Sequence, residues 1–583
     1  MTATEAQKMT GAQCLIKALE DVGVDTIFGY PGGQAIDIYN ALYDSKKLHH
    51  ILVRHEQGAA HAADGYARAT GKVGTVIVTS GPGATNTVTG ISTAYMDSIP
   101  MVVITGQVAT SSLGSDAFQE SDMTGITMPI VKHSYLVHDP KDLPEIIAEA
   151  YYIASTGRPG PVVIDVPGNV SKAQNVPYHF PEEVKLESYK PTYKGNSKQV
   201  KSAVRALEKA ERPIIYAGGG ILSSNASAEL LDLAETLQIP VVVSLIGKSC
   251  MPEDNPLCLG MPGMHGSRAA NAALQNSDLI FAVGTRFADR VTGRLSAFAP
   301  DAKVIHVDID PAEIGKNRNA DIPVVGDAKL VLAAINEQLH KDQAQPVDAE
   351  WVAKIDAIRR ESPFYYEKRD DAIQPEYALE LLDKLTKDKD TIFTTEVGQH
   401  QMWAAQYLHC TRPRTFLSSG GAGTMGFGFP AAIGAQEGCP DSLVVCVAGD
   451  GSLQMNIQEM ATAYEAGAPV KVLLLNNSTL GMVHQWQDLF YSKRYSQTVF
   501  TGNPDFVKLA QAYHWYGDSV SDPAQLEGAM EKWLSQEGPA LLEVIIPEDE
   551  NVFPMVPAGG TLTGQIGVVK LDESGHPVEK KGK

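Results

Sequence analysis

Short apolar runs rich in β-branched residues, each followed by a helical pattern, recur along this chain, and that alternation restricts the fold more than any other feature. In a first block, residues 9–176, strand-like runs at Val73–Thr79, Pro100–Thr105 and Pro161–Val166 alternate with helical patterns such as Ala12–Val22 and Gln57–Ala69. A second block, residues 198–340, has runs at Pro213–Ala217, Pro240–Leu245, Asp278–Val283 and Lys303–Asp308. A third, residues 375–550, has them at Thr391–Thr395, Leu443–Ala448, Val470–Asn476 and Ala540–Ile546. Strands that are apolar on both faces and separated by helix-length segments predict parallel sheets buried between two helical layers. The expected fold class is α/β, with three doubly wound parallel-sheet domains. The stretch from Pro177 to Ser197 reads as a linker and Asp348–Arg369 as a charged helical connector. The segment after Asp549, ending in Glu-Lys-Lys-Gly-Lys, reads as a mobile tail.

Charge decides which partners are compatible. Lys and Arg number 48 against 69 Asp and Glu, a formal net charge of −21. A field of that sign repels nucleic acid and anionic membrane surfaces, so neither is expected as a partner. An anionic ligand must be captured locally, by backbone donors, a metal or a few placed arginines. No run approaches 18 consecutive apolar residues, so no transmembrane helix is expected. The start, Met1-Thr2-Ala3-Thr4-Glu5-Ala6, has neither the basic and apolar regions of a signal peptide nor an Arg-rich import pattern. The cysteines Cys14, Cys250, Cys258, Cys410, Cys439 and Cys446 form no C-x-x-C and suit a reducing compartment. The expectation is a cytoplasmic protein.

The most informative segment is Leu443-Val444-Val445-Cys446-Val447-Ala448-Gly449-Asp450-Gly451-Ser452, a buried strand ending in Gly-Asp-Gly. Glycines there let backbone approach a ligand, and a helix starting just after them presents free N–H groups to phosphate. A helix of about 14 residues from Leu453 climbs roughly 21 Å. A strand of about seven residues to Asn476 returns roughly 23 Å. The lengths nearly cancel, so Asn477 is expected beside Asp450 at the carboxyl edge of adjacent parallel strands. Asp450, Asn477, the Thr479 carbonyl, water and two phosphate oxygens would then compose an octahedral Mg²⁺ site.

This strand, helix, return strand and Asn-Asn pattern resembles the thiamine-diphosphate motif of the pyruvate-decarboxylase-like superfamily, whose members have three α/β domains. The resemblance implies the rest of a cofactor site. Glu56, in Arg54-His55-Glu56-Gln57-Gly58-Ala59-Ala60, matches the carboxyl that bonds the cofactor's pyrimidine and helps it take up its own C2 proton. Met425, among the glycines of residues 421–428, matches the apolar side chain that bends the cofactor. Gln399 and His400 match the loop reaching the diphosphate, together with Gly449, Gly451, Ser452 and Met482. Glu56 and Asp450 lie on different blocks. The superfamily shares each site between block one of one subunit and block three of another, which implies a homodimer or homotetramer.

The whole chain resembles the acetohydroxyacid synthase (acetolactate synthase) family of catalytic large subunits. Phe28-Gly29-Tyr30-Pro31-Gly32-Gly33 is similar to its first loop, where the Gly33 N–H faces substrate. Phe118-Gln119-Glu120 matches residues near the reaction centre, Phe118 packing on substrate and Gln119 hydrogen-bonding. Gly260-Met261-Pro262-Gly263-Met264-His265-Gly266 and Val283-Gly284-Thr285-Arg286-Phe287-Ala288-Asp289-Arg290 resemble its FAD-binding loops. Gly218, Arg158, Asp308 and Asp327 complete the implied flavin contacts. The middle block is thereby implied to be a Rossmann-like FAD-binding domain, flanked by a pyrimidine-binding domain (9–176) and a diphosphate- and Mg²⁺-binding domain (375–550). Arg290 matches the cation that receives the acceptor carboxylate, and Trp486 the ring that packs on the acceptor side chain. Two places depart from the family. Ala288 interrupts an Arg-Phe-Asp-Asp-Arg loop, and Val166-Pro167-Gly168-Asn169-Val170 stands where Pro-Lys-Asp is common.

The resemblance implies an acetolactate synthase using thiamine diphosphate, Mg²⁺ and FAD. It would decarboxylate pyruvate and ligate the hydroxyethyl group to pyruvate or 2-ketobutyrate, the first common step of valine, leucine and isoleucine biosynthesis. A small regulatory subunit is an implied partner. Three alternatives stay open: a flavin-dependent pyruvate oxidase, another thiamine-diphosphate carboligase, and a non-catalytic relative that only binds a partner.

Overall fold

The computed structural model describes residues 8–578. The Met1–Ala6 start and the last five residues of the tail lie outside the described residues. Three parallel sheets organise the chain. The first contains Thr26–Tyr30, His49–Leu52, Gly74–Val78, Met101–Gln107, His133–Leu136 and Pro161–Pro167, which lie across the sheet in the order 2-1-3-4-6-5 of their appearance. The last sheet repeats that order with Thr391–Thr395, Phe416–Leu417, Leu443–Gly449, Lys471–Asn476, Tyr516–Val520 and Ala540–Ile545. Between them, Pro213–Ala217, Val241–Val243, Leu279–Val283, Lys303–Asp308 and Ile322–Val325 form a sheet of order 2-1-3-4-5.

Period-2 alternation explains why these strands read as unbroken apolar runs. On Met101–Gln107, Val102 and Ile104 enter one core cluster while Met101 and Val103 enter another. Val445 and Val447 face one cluster and Val444, Cys446 and Ala448 a second. Phe281 and Val283 divide from Ile280 and Ala282 in the same way. Each sheet is buried on both faces, which leaves only strand ends to carry chemistry. The α/β class expected from the alternation is the class found.

Four expectations need correction. The excursion after Gly449 is not one helix: a turn at Asp450–Leu453 gives way to a 3₁₀ segment at Gln454–Asn456 and then to helix Glu459–Ala466. Asn456, in the 3₁₀ segment, donates through its Nδ2 to the Gly426 carbonyl at 2.6 Å. The connector is helical only over Ala349–Glu361, stopping ahead of Pro363, whose ring disfavours helical backbone in the residue before it. The tail beyond Asp549 is packed. Val556 and Leu562 join the core of the middle domain, Val556 N–H donates to the Met264 carbonyl at 2.8 Å, and Leu571 N–H to that of Glu361 at 2.8 Å. Finally, five of the six edge strands of these sheets, His49–Leu52, His133–Leu136, Ile322–Val325, Phe416–Leu417 and Tyr516–Val520, join them without having been singled out by their sequence; the sixth, Val241–Val243, lies within the expected run Pro240–Leu245.

In every sheet the order reverses between the first and third strands, and ligands of open α/β sheets bind outside the carboxyl ends there. Those three crevices follow Tyr30 and Val78, Ala217 and Val283, and Thr395 and Gly449. The first and last domains meet through helices Glu56–Thr70 and Gly428–Gly438. The approach needs glycine: a Cβ at Gly434 would stand 1.8 Å from the Ala62 carbonyl oxygen, and one at Gly65 2.1 Å from that of Ala431. Among the described residues, no helix is long and apolar enough to cross a membrane.

Candidate active site

One elongated cavity of about 890 Å³ runs along the crevices of the middle and last domains. At one end, strand Leu443–Gly449 delivers Asp450 and its neighbour Lys471–Asn476 delivers Asn477, with Gly449 opposite Leu475 in the parallel register. Both side chains are buried and line the cavity. Asp450 Oδ2 accepts from Asn503 Nδ2 at 2.7 Å, and Asn477 Oδ1 accepts from the Thr479 N–H at 3.1 Å. Among the described residues no cation faces Asp450, and burial pushes its carboxyl up to about 6. A carboxylate, an amide oxygen and nearby carbonyls are the hard oxygen donors that suit Mg²⁺. The Thr479 hydroxyl, buried without a partner, is a further group with capacity to spare.

Gln399 and His400 open helix Gln399–Tyr407 beside this pair. Gln399 Oε1 accepts from Asn477 Nδ2 at 3.1 Å. The His400 ring is buried against Gly449, where a Cβ would lie 2.6 Å from Nδ1. Burial pulls its pKa down to about 3, so the ring is neutral, and its Nε2 has no partner. Gly449, Gly451, Ser452, Met482 and Trp486 line the same end. So does Met425, at the tip of a loop held from both sides. Glu396, fully buried, accepts from the N–H groups of Gly426 at 2.7 Å and Phe429 at 2.9 Å. Orphaned polar atoms, a glycine-walled cradle and a hard-oxygen pair fit a diphosphate bound through a divalent cation.

The other end belongs to the middle domain. Met264, His265, Gly284, Arg286, Arg290, Asp308 and Asp327 line it. Asp308 is pushed up to about 6 by burial. Asp327 also caps helix Ala328–Asp342, accepting from the Leu330 N–H at 3.1 Å. Arg158 reaches in from the first domain, but its Nη1 is already paired with Glu313 at 2.7 Å and Asp310 at 3.2 Å. Its Nε donates to Ser98 Oγ at 2.8 Å. Gly218 does not line the cavity; its neighbours Gly219 and Gly220 do. A Cβ at Gly218 would stand 2.3 Å from the Gly284 carbonyl oxygen, so its glycine serves the close packing of two loops. A long cavity with carboxylates at its far end, arginines along it and bare backbone walls suits a dinucleotide such as FAD.

Glu56, Gly33, Phe118 and Gln119 stand apart from this cavity. They gather at the crevice of the first sheet, around the Ser80–Asn86 loop. Glu56 begins helix Glu56–Thr70, and its Oε2 accepts from Asn86 Nδ2 at 2.9 Å. Gln119, at φ +61°, packs its backbone against Gly81. The Gly33 loop rests on Thr79, whose hydroxyl accepts from the Gln34 N–H at 3.2 Å. Phe118 is 86% exposed, with Tyr43 at 85%, Met128 at 66% and Ile36 at 61% exposed on the same domain. The expected site residues thus divide into a cavity group and an open group. Residues that sequence reasoning missed are Asp97, Glu396, Asn456 and Asn503. Glu396 alone had a signal, its place three residues ahead of Gln399 on the diphosphate loop; the others act through contacts with distant chain.

The chain matches three family models, described as the N-terminal TPP binding domain (residues 9–126), the central domain (200–335) and the C-terminal TPP binding domain (396–544) of thiamine pyrophosphate enzymes. It is 48% identical to a probable acetolactate synthase large subunit of Methanococcus aeolicus, over 98% of this chain and 97% of that one. It is 48% identical to the acetolactate synthase isozyme 3 large subunit of Escherichia coli, over 95% and 98%. Against the acetolactate synthase large subunit of Buchnera aphidicola the identity is 50%, over 95% and 97%.

Proposed function

The chain belongs to the family of acetolactate synthase large subunits, three-domain thiamine pyrophosphate enzymes, and we propose that it decarboxylates one pyruvate and joins the two-carbon remainder to a second 2-keto acid. Pyruvate as acceptor yields 2-acetolactate and 2-ketobutyrate yields 2-aceto-2-hydroxybutyrate. Bound thiamine diphosphate supplies the electron sink for the loss of CO₂. Asp450, Asn477 and the Thr479 carbonyl would hold Mg²⁺ against its diphosphate, with Gln399 and neutral His400 beside them. Met425 would press on the cofactor from below, and Glu56 would hold a proton against its pyrimidine ring. Arg290 answers the charge problem of a −21 chain by receiving the acceptor's carboxylate, and Trp486 gives the acceptor's side chain an apolar wall. Arg286, Asp308, Asp327, Met264 and His265 would hold FAD. The overall reaction needs no net oxidation or reduction, so a flavin's contribution there is structural.

The observation that carries this reading is the meeting of Asp450, Asn477, Gln399, His400 and Met425 on one wall of a single cavity. Glu56 and its companions do not line that cavity, and their domain carries exposed apolar side chains of the kind that mark contact surfaces. A second copy of the chain, related by twofold symmetry, would bring each open group to the other's cavity. The relatives are named as large subunits, which supports a small partner subunit as well. Purified protein given thiamine diphosphate, Mg²⁺, pyruvate and 2-ketobutyrate, with and without FAD, should form both acetohydroxy acids. Release of CO₂ without either product would overturn the reading.

A further inference from the structure

The loop that carries Met425 contains Gly420, Gly421, Gly423 and Gly426, the last two with left-handed φ of +61° and +86°. Such a segment has little stiffness of its own, yet it must present one side chain to the cavity. Much of the fixing comes from the first domain, through helix Val88–Asp97. Asp97 Oδ1 accepts from the Gly421 N–H at 2.7 Å and Oδ2 from the Gly420 N–H at 3.0 Å. One helical turn earlier, Thr93 Oγ1 shares a hydrogen bond of 2.7 Å with Thr424 Oγ1, next to Met425 itself.

Behind Asp97 stands a buried ion cluster. Arg68 donates to Asp97 Oδ2 at 2.9 Å, to the Ser418 carbonyl at 2.9 Å and to Asp64. The Asp97 side chain is 1% exposed and lines the cavity. A buried ion cluster is weak as a source of stability, and in some proteins its role is to fix one geometry. This one attaches where the loop leaves the last sheet. The helix that ends at Asp97 also follows directly on the Ser80–Asn86 loop, whose Asn86 holds Glu56. The continuous segment Ser80–Asp97 therefore contacts Glu56 near its start and the Met425 loop at its end.

We propose that Asp97 is a positioning residue: it fixes the Gly420–Met425 loop of its own chain and through it the side chain of Met425. Where two chains share each site, as proposed above, the domain that lends its Glu56 to one site thereby braces the Met425 of the other. Asp97→Asn in the holoenzyme should lower kcat about 100-fold, the scale of a small misplacement remote from the reacting atoms. KM for pyruvate should change less than about threefold. Asp97→Glu, which keeps both acceptors and the charge, should recover at least about a tenth of the wild-type rate.

Hydrogen exchange gives a readout independent of turnover. In Asp97→Asn, with or without thiamine diphosphate, amide exchange should rise across residues 418–427 and stay unchanged across 443–453. Thr93→Val, which removes one hydroxyl and keeps the shape, should raise exchange at 424–427 without lowering Tm. Wild-type exchange at 418–427 in both variants, or wild-type kcat in Asp97→Asn, would overturn the proposal. Coexpression locates the action. Asp97→Asn chains mixed with Glu56→Gln chains should regain about a quarter of the wild-type rate, because half the dimers then hold one intact site of two. No recovery would mean that Asp97 serves the Glu56 of its own domain, against the proposal. The same mixture made with Asp450→Ala in place of Asp97→Asn tests the shared site alone, so its failure would fall on that reading and leave the exchange result to decide Asp97.

Discussion

Glu56→Gln is expected to lower the rate of acetohydroxy acid formation about a thousandfold, inside the roughly 10²- to 10⁴-fold range of general acid–base catalysis. The reason lies in what the substitution keeps. A glutamine at position 56 retains an oxygen for Asn86 Nδ2, which Glu56 engages at 2.9 Å, and it leaves the start of helix Glu56–Thr70 unaltered in shape. It has no proton that can move to and from a ring nitrogen. The loss should therefore appear in kcat, with thiamine diphosphate still bound and Tm within a degree or two of wild type. A variant turning over near the wild-type rate would remove Glu56 from its role.

Asp450→Ala should weaken Mg²⁺-dependent thiamine diphosphate binding by more than about 100-fold, beyond the roughly 10- to 100-fold typical of a group that only supports a ligand. The same substitution should not harm the empty protein. The Asp450 carboxyl sits near 6 in the fold against an ordinary 3.8. Its contribution to stability is therefore present below pH 3.8 and lost as pH climbs through 6. At pH 8, protein without cofactor should melt no lower as the alanine variant than as wild type, while only wild type gains Tm on adding Mg²⁺ and thiamine diphosphate. Equal gains in both would contradict the assignment. A buried carboxylate without a countercharge is poorly explained by packing and well explained by a cation.

The parts of this fold that could be read from sequence are those whose cause is local. Central strands such as Leu443–Gly449 and Lys471–Asn476 are buried on both faces, so each announces itself as an apolar run. Adding lengths places Asp450 and Asn477 at neighbouring strand ends, and the strand ends are neighbours although the intervening helix is broken, because the register of the two strands and not the path between them sets them. Two edge strands were invisible for the opposite reason. His133–Leu136 and Tyr516–Val520 are half exposed and carry mixed side chains. The tail was misread because Val556 and Leu562 fill space in a domain some 250 residues earlier in the chain, and no period in the tail reports that.

The site divides along the same line. Gly-Asp-Gly and Asn-Asn have a spacing that chemistry can interpret, and family resemblance supplied Glu56 and Met425. Asp97 has neither aid. It bonds backbone 323 residues away, and its own surroundings, a helix end before a strand, look ordinary. Gly218 shows the converse, since a Gly-Gly-Gly turn invites a ligand while its first glycine is consumed by packing against Gly284. Asn503, which holds Asp450 at 2.7 Å, lies in a loop with no pattern at all.

The central claim is that catalysis needs two groups of residues that one chain keeps apart. Coexpression of Glu56→Gln and Asp450→Ala chains tests it most directly. Either variant alone should be essentially inactive, whereas the mixture should show about a quarter of the wild-type rate, since each mixed dimer assembles one site with both Glu56 and Asp450 intact. A mixture as inactive as its components, with mixed dimers demonstrated, would contradict the claim and return Glu56 and Asp450 to a site within one chain.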